Sequence, residues 1–133
     1  MIMLTKEQVI LLHKLIYDRF GGSYGVRDEG LLDSALAAPM QTFGGQDLYE
    51  TDLDKIVQLA FCLIRNHPFA DGNKRIGALV LLVLLELNGY RLNTSNKAFY
   101  STIYGVASGE MDDEEFRVRV GRSVVLKRVN ESK

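Results

Sequence analysis

Nine consecutive residues, His67-Pro68-Phe69-Ala70-Asp71-Gly72-Asn73-Lys74-Arg75, carry most of the chemistry this chain can do. They bring together an imidazole, a carboxylate, a Gly-Asn turn and two adjacent cations. The apolar run Ile76 to Leu87 follows at once. A turn that opens such a helix leaves its first N–H groups without internal partners. Those donors, the positive end of the helix dipole, Lys74 and Arg75 converge as a phosphate site. Asp71 can hold a magnesium ion there, since magnesium is often bound by one or two carboxylates plus phosphate oxygens and water. His67 can accept a proton from an attacking group.

Each residue also has a plainer role. Asp71-Gly72-Asn73 makes an ordinary turn, and a histidine before proline commonly ends a helix. Gly72 and Asn73 can both adopt positive φ, which aims successive N–H groups at an anion. Lys74 and Arg75 are harder to explain without a ligand. Cations at a helix start oppose its dipole, at about 0.3–1 kcal/mol each. A bound anion relieves that conflict, with Arg75 binding bidentately and Lys74 acting as a point charge. Arg65 lies one helix end away and could reach the same place, but the assignment goes to Lys74 and Arg75. His13 falls in mid-helix without polar company and reads as structural or solvated.

The elements that position these residues follow from periodicity and caps. Thr5 with Gln8 forms a capping box for a helix over about 6–20, with Val9, Leu12 and Ile16 inward. Gly21 to Gly25 break it. Asp28 caps a second, shorter helix that Pro39 stops. Residues 40–50 lack helical period and suit a loop or small hairpin. Thr51 or Asp52 starts a third helix, with Leu53, Ile56, Val57, Ala60, Phe61 and Ile64 on one face, ending near His67. The fourth helix starts after Gly72-Asn73 and closes at Asn88-Gly89. It is apolar enough to be buried on all sides. Thr94 or Ser95 caps a fifth helix over about 96–107, ended by Gly109. A sixth begins at Asp112, carries Phe116, Val120 and Val124, and ends with Lys127 and Arg128. The predicted fold is an all-α, single-domain bundle of about six helices around a central buried helix, with the domain over 1–128 and a tail over 129–133.

Composition narrows the function classes. The chain has 133 residues, 47% of them apolar, and a net charge of −1. That charge gives no general attraction to nucleic acid or anionic membranes, so neither direct DNA binding nor membrane attachment is expected. The apolar run is shorter than the ~20 residues that span a bilayer. Cys62 is the one cysteine and lies in an apolar helical pattern, as a small hydrophobe. The N-terminus has no basic segment leading into an apolar core. A cytoplasmic setting is expected.

At His67, Phe69, Asp71, Gly72, Asn73, Lys74 and Arg75 the sequence resembles the signature of the Fic/Doc (Fido) family, His-x-Phe-x-Asp/Glu-Gly-Asn-Gly/Lys-Arg. Lys74 stands where nucleotidyl-transferring Fic proteins have glycine. With the short chain, Gly25-Val26-Arg27-Asp28-Glu29-Gly30-Leu31-Leu32 and Ala107-Ser108-Gly109-Glu110, this resembles the Doc branch, the death-on-curing toxins. The resemblance implies an enzyme that uses ATP and Mg²⁺. His67 would be the catalytic base, Asp71 the metal ligand, and Gly72, Asn73, Lys74 and Arg75 the nucleotide-binding residues. It implies transfer of the γ-phosphate to a protein hydroxyl, with elongation factor Tu as the target class and translation arrest as the outcome. It also implies an antitoxin whose disordered tail folds as a helix in a groove. The flap of the family, corresponding to residues 40–50, would lie over the active site. The alternatives are AMP transfer to Ser, Thr or Tyr, with the α-phosphate facing the target, and a non-catalytic antitoxin- or nucleotide-binding module. Two departures matter. Ala78 replaces a second arginine of longer Fic signatures, and the inhibitory motif Ser/Thr-x-x-x-Glu-Gly/Asn does not occur, which implies restraint by a separate chain.

Overall fold

Two helices, joined by the loop that carries the signature, form the centre of the computed structural model, which describes residues 1–127. In chain order the elements are α1 (Lys6–Phe20), α2 (Glu29–Ala37), a 3₁₀ turn (Ala38–Met40), β1 (Thr42–Phe43), β2 (Gln46–Asp47), α3 (Asp52–Asn66), α4 (Asn73–Leu87), β3 (Tyr90–Leu92), α5 (Asn96–Ser108), α6 (Asp113–Ser123) and β4 (Val124–Leu126). Among the described residues the fold is therefore mainly helical, with six α-helices, as expected. The hairpin β1–β2 supplies the element expected within 40–50, pairing Thr42 with Asp47 and Phe43 with Gln46.

Local sequence sets most helix starts. The Thr5–Gln8 capping box is formed, and Asp28, Thr51, Ser95 and Asp112 each accept an N–H from the first turn of their helix. Of the paired candidates, Thr51 and Ser95 are the caps. Such a side chain is worth about 0.5–2 kcal/mol over alanine.

The core lies where α3 and α4 face each other. Ile56, Leu59, Leu63 and Ile64 from α3 meet Ile76, Val80, Leu81 and Leu84 from α4, all essentially without solvent exposure. Gly77 allows the close approach: a Cβ there would stand 2.3 Å from Ile64 Cγ1. Val9 and Ile16 of α1, Leu32 of α2, Val106 of α5 and Phe116 of α6 close the core around this pair. At the far end of α4, the Asn88 amide donates to Ile2 O and Leu84 O and accepts from Ile2 N, all at 2.8 Å. Residues from Ile2 to Tyr17 thus run along α4, with the α1 C-terminus beside the signature loop.

Two expectations are corrected. First, α4 is not buried on every side, since Leu82 and Leu87 are 41% and 44% exposed. Neighbouring helices cover one broad face only. Second, the sixth helix stops at Ser123. Val124 lies in β4, which pairs antiparallel with β3 in the register Tyr90↔Leu126, Arg91↔Val125, Leu92↔Val124. β-Branched Val124 and Val125 favour extended geometry. The partner strand, 90–92, satisfies their backbone. Lys127 is not a helix-terminal cation: its ammonium pairs with Glu86 at 2.6 Å. Arg128, and with it the expected domain end and the tail 129–133, lie outside the described residues. Among the described residues no helix is long and apolar enough to cross a membrane.

Candidate functional site

The signature loop begins where α3 is forced to end. Pro68 disfavours α-helical geometry at the residue before it. His67 takes up a left-handed conformation (φ 50°, ψ 56°) and is the one non-glycine residue with positive φ among the described residues. Such geometry costs about 1–3 kcal/mol and persists only when its surroundings impose it. Arg27 is the constraint. Its guanidinium donates to His67 O from Nε at 2.9 Å and from Nη2 at 2.5 Å, and to Asn66 O at 3.3 Å. The exposed carbonyls at the end of α3 thus meet a cation, which also suits the helix dipole.

The backbone of 25–28 straps the rest of the loop. Arg27 N and Asp28 N donate to Pro68 O at 2.8 and 3.0 Å, and Ala70 N donates to Gly25 O at 3.0 Å. Val26 and Phe69 form an antiparallel bridge. Phe69 is fully buried. Its ring stacks on His13 with centroids 3.9 Å apart and planes 9° from parallel. His13 Nε2 donates to Asp71 O at 2.7 Å. His13 is therefore structural, as its lone mid-helix position implied, and buried rather than solvated.

Asn73 differs from its expected role. Its side-chain amide is closed on Phe69, accepting from Phe69 N and donating to Phe69 O, both at 3.0 Å. It is buried and starts α4, and its φ is not positive; Gly72 alone makes the left-handed turn, with φ 74°. What Asn73 can offer an anion is its main-chain N–H. The α4 N-terminus also lacks a side-chain cap, unlike those of α1, α2, α3, α5 and α6. The first N–H groups of α4 stand without an intrahelical partner beside an open cavity.

That cavity measures about 820 Å³ and is lined by Arg27 and His67, by every residue from Phe69 to Arg75, by Ala78, and by one face of α5. All six candidate residues, His67, Asp71, Gly72, Asn73, Lys74 and Arg75, thus border one space. The two cations do not converge. Lys74 leans to the α5 wall, its ammonium 5.2 Å from the Tyr104 ring centroid. Arg75 leans to the α1 end, its guanidinium 4.2 Å from the Phe20 centroid. Consecutive helix positions project about 100° apart, so an anion would lie between them. Arg65 does not line the cavity and sits over the Phe61 ring. No residue of the β1–β2 hairpin lines the cavity either.

Asp71 supplies one exposed carboxylate. Its Oδ1 accepts from Gly72 N at 2.8 Å, and the backbone of Gly22 runs against Oδ2, where a Cβ would come within 2.3 Å. Among the described residues no group of three or more His, Cys, Asp and Glu side chains could enclose a metal. A lone carboxylate beside uncapped helix donors suits magnesium completed by phosphate oxygens and water. Cys62 is remote from this chemistry: partly buried, its thiol is pushed above the ordinary range by desolvation.

Sequence reading missed Arg27 and Gly22 as site residues and the contact of His13 with the loop. Arg27 carried a signal, since it stands in the Gly25-to-Leu32 stretch that resembles Doc proteins.

Fold and site together define a helical domain with an uncapped helix start and two cations in the loop between its two central helices. The Fic/DOC family model matches residues 3–85, and the chain belongs to that family. Over 73 residues it is 45% identical to a protein named Toxin Doc from Mycolicibacterium smegmatis, covering 55% of this chain and 56% of that one. Over 111 residues it is 29% identical to Protein kinase doc of Escherichia phage P1, covering 81% and 84%. The chain thus matches little more than half the length of the first relative. Both names fall on the Doc side of the family.

Proposed function

We propose that this protein is a Doc-type toxin, an ATP- and magnesium-dependent protein kinase acting in the cytoplasm. The observation that carries the reading is the uncapped N-terminus of α4, open to a cavity that His67 also lines, with Lys74 and Arg75 on either side. The main-chain N–H groups of Asn73, Lys74 and Arg75 bind the phosphates, and the two side chains neutralise their charge. Asp71 would hold Mg²⁺, which spreads the negative charge of the phosphates. His67 takes the proton from a target hydroxyl as its oxygen bonds to the γ-phosphorus. The bond from the γ-phosphorus to the bridging oxygen breaks, and ADP leaves with that oxygen. Proton transfer of this kind contributes typically about 10²–10⁴-fold.

The family resemblance points to elongation factor Tu as the target class. A separate antitoxin would restrain the enzyme through a disordered tail that folds as an amphipathic helix in an apolar groove. The names Toxin Doc and Protein kinase doc of the relatives support toxin and kinase. Labelled ATP tests the reaction. Label from the γ-position on elongation factor Tu is expected. Label from the α-position would establish AMP transfer instead, and no transfer from either position would leave a binding module.

A further inference from the structure

Phe20 is the last residue of α1 and stands outside the core, with its side chain 53% exposed. The helix closes just beyond it. Gly21 N donates to Tyr17 O at 2.7 Å, and Gly21 turns the chain with φ 76°. The next residue, Gly22, lies against the Asp71 carboxylate. The end of α1 thus reaches the signature loop at two points, through the backbone of Gly22 and through the ring of Phe20.

The ring meets Arg75. The guanidinium carbon stands 4.2 Å from the ring centroid, the closest cation–ring contact among the described residues. Arg117 and Arg119 each pair with a carboxylate. Arg75 has neither an ion pair nor a side-chain hydrogen bond among the described residues. Its charge therefore stands unneutralised at a helix start, where the dipole opposes it. A carboxylate partner would hold the guanidinium too, but it would cancel the charge and occupy the N–H donors. An aromatic face holds it without doing either, because those donors lie in the plane of the guanidinium. An arginine loose in solvent surrenders rotamer freedom when it binds, and one already stacked has surrendered part of it. Arg75 lines the cavity and Phe20 does not, so the ring can act on an occupant only through the arginine.

We propose that Phe20 is a positioning residue for Arg75, holding the guanidinium at the cavity charged and unpaired until a polyphosphate arrives. This rests on the reading of the site as one for the phosphates of a nucleotide. It adds what prepares one of the two cations, and assigns a role to a half-exposed phenylalanine that core packing does not explain.

Calorimetry on the full chain with magnesium present tests this, using inorganic tripolyphosphate as the probe. Phe20→Leu keeps apolar bulk but removes the ring face, and should weaken binding by about 2- to 5-fold. Phe20→Tyr keeps the ring and should bind like the parent. Urea midpoints of both variants should stay near the parental value, since Phe20 lies outside the core. In an Arg75→Met background, Phe20→Leu should have no further effect, because the two changes remove one interaction. If Arg75→Met alone binds too weakly for comparison, the contrast between leucine and tyrosine carries the test. Equal weakening with and without Arg75, or in the leucine and tyrosine variants alike, would mean that Phe20 acts through the turn at Gly22, and would overturn the proposal. Tighter binding by Phe20→Leu would show that the ring draws Arg75 away from the anion and overturns it as well. Unchanged binding by Phe20→Leu overturns it while leaving the phosphate site standing. A parent protein that does not bind tripolyphosphate overturns the phosphate site, and the role of Phe20 with it.

Discussion

His13 Nε2 lies 2.7 Å from the main-chain oxygen of Asp71, across 58 residues of sequence. The bond ties the middle of α1 to the turn that starts α4. It sets the height of that turn above Phe69, on which the same imidazole stacks. Because the acceptor is a carbonyl, Nε2 must carry the proton, so this contact fixes the tautomer.

Replacing His13 by leucine keeps an apolar body but leaves Asp71 O without its donor. Stability is expected to fall by about 1 kcal/mol, the net worth of a part-buried hydrogen bond. Transfer activity should fall as well, because Asp71 and Gly72 lose their anchor. His13→Gln can present an N–H in the same place and should recover part of both. Urea unfolding beside the labelled-ATP assay checks this; an active, fully stable leucine variant would show that the bond positions nothing.

Asn73→Ala separates a clamp from a ligand. The amide makes two bonds to Phe69 and is buried. The substitution should destabilise the fold by about 2–3 kcal/mol, visible as a lower urea midpoint without any nucleotide. An unchanged midpoint with weakened nucleotide binding would assign the side chain to the ligand instead.

His67 is best removed by asparagine, which tolerates the left-handed conformation observed there. Alanine would add a backbone cost unrelated to chemistry. With asparagine, transfer should drop by roughly 10²–10⁴-fold while the unfolding midpoint stays near the parental value. Transfer at the parental rate would rule out the imidazole as the base.

Gly22→Ala and Asp71→Asn address the metal from two sides. A Cβ at Gly22 would meet Asp71 Oδ2 at 2.3 Å, and its φ of +93° already disfavours any side chain. Asp71→Asn keeps the shape and removes the charge. Both variants should need more magnesium for half-maximal activity than the parent does. A magnesium titration that overlays the parental curve for Asp71→Asn would exclude Asp71 as a metal ligand.

Lys74→Gly deletes the cation that lies over Tyr104 and restores the glycine of the nucleotidyl-transferring branch. Glycine in a first helical turn costs no more than about 1 kcal/mol, so the protein should remain folded. Loss of γ-phosphate transfer, with a gain of weak AMP transfer, is expected. Mass spectrometry of the target protein distinguishes the two additions, and undiminished phosphorylation would show that Lys74 does not set nucleotide direction.

The sequence by itself determined most helix starts, because a cap such as Thr5 on Gln8 or Asp112 on Glu115 spans three residues. It also determined which faces of α1 and α3 turn inward, and that His67 to Arg75 form one chemical unit, since their closeness is covalent. Tertiary structure alone decided what each side chain does within that unit. Asn73 turned inward to Phe69, Lys74 and Arg75 parted towards α5 and α1, and Arg27 reached His67 O from 40 residues away. It also ended α6 early, since 124–126 extend only because 90–92 are beside them to pair with. Hydrogen-bonding groups take whatever partner packing brings within 3 Å or so, and that packing depends on the whole core rather than on neighbours in sequence.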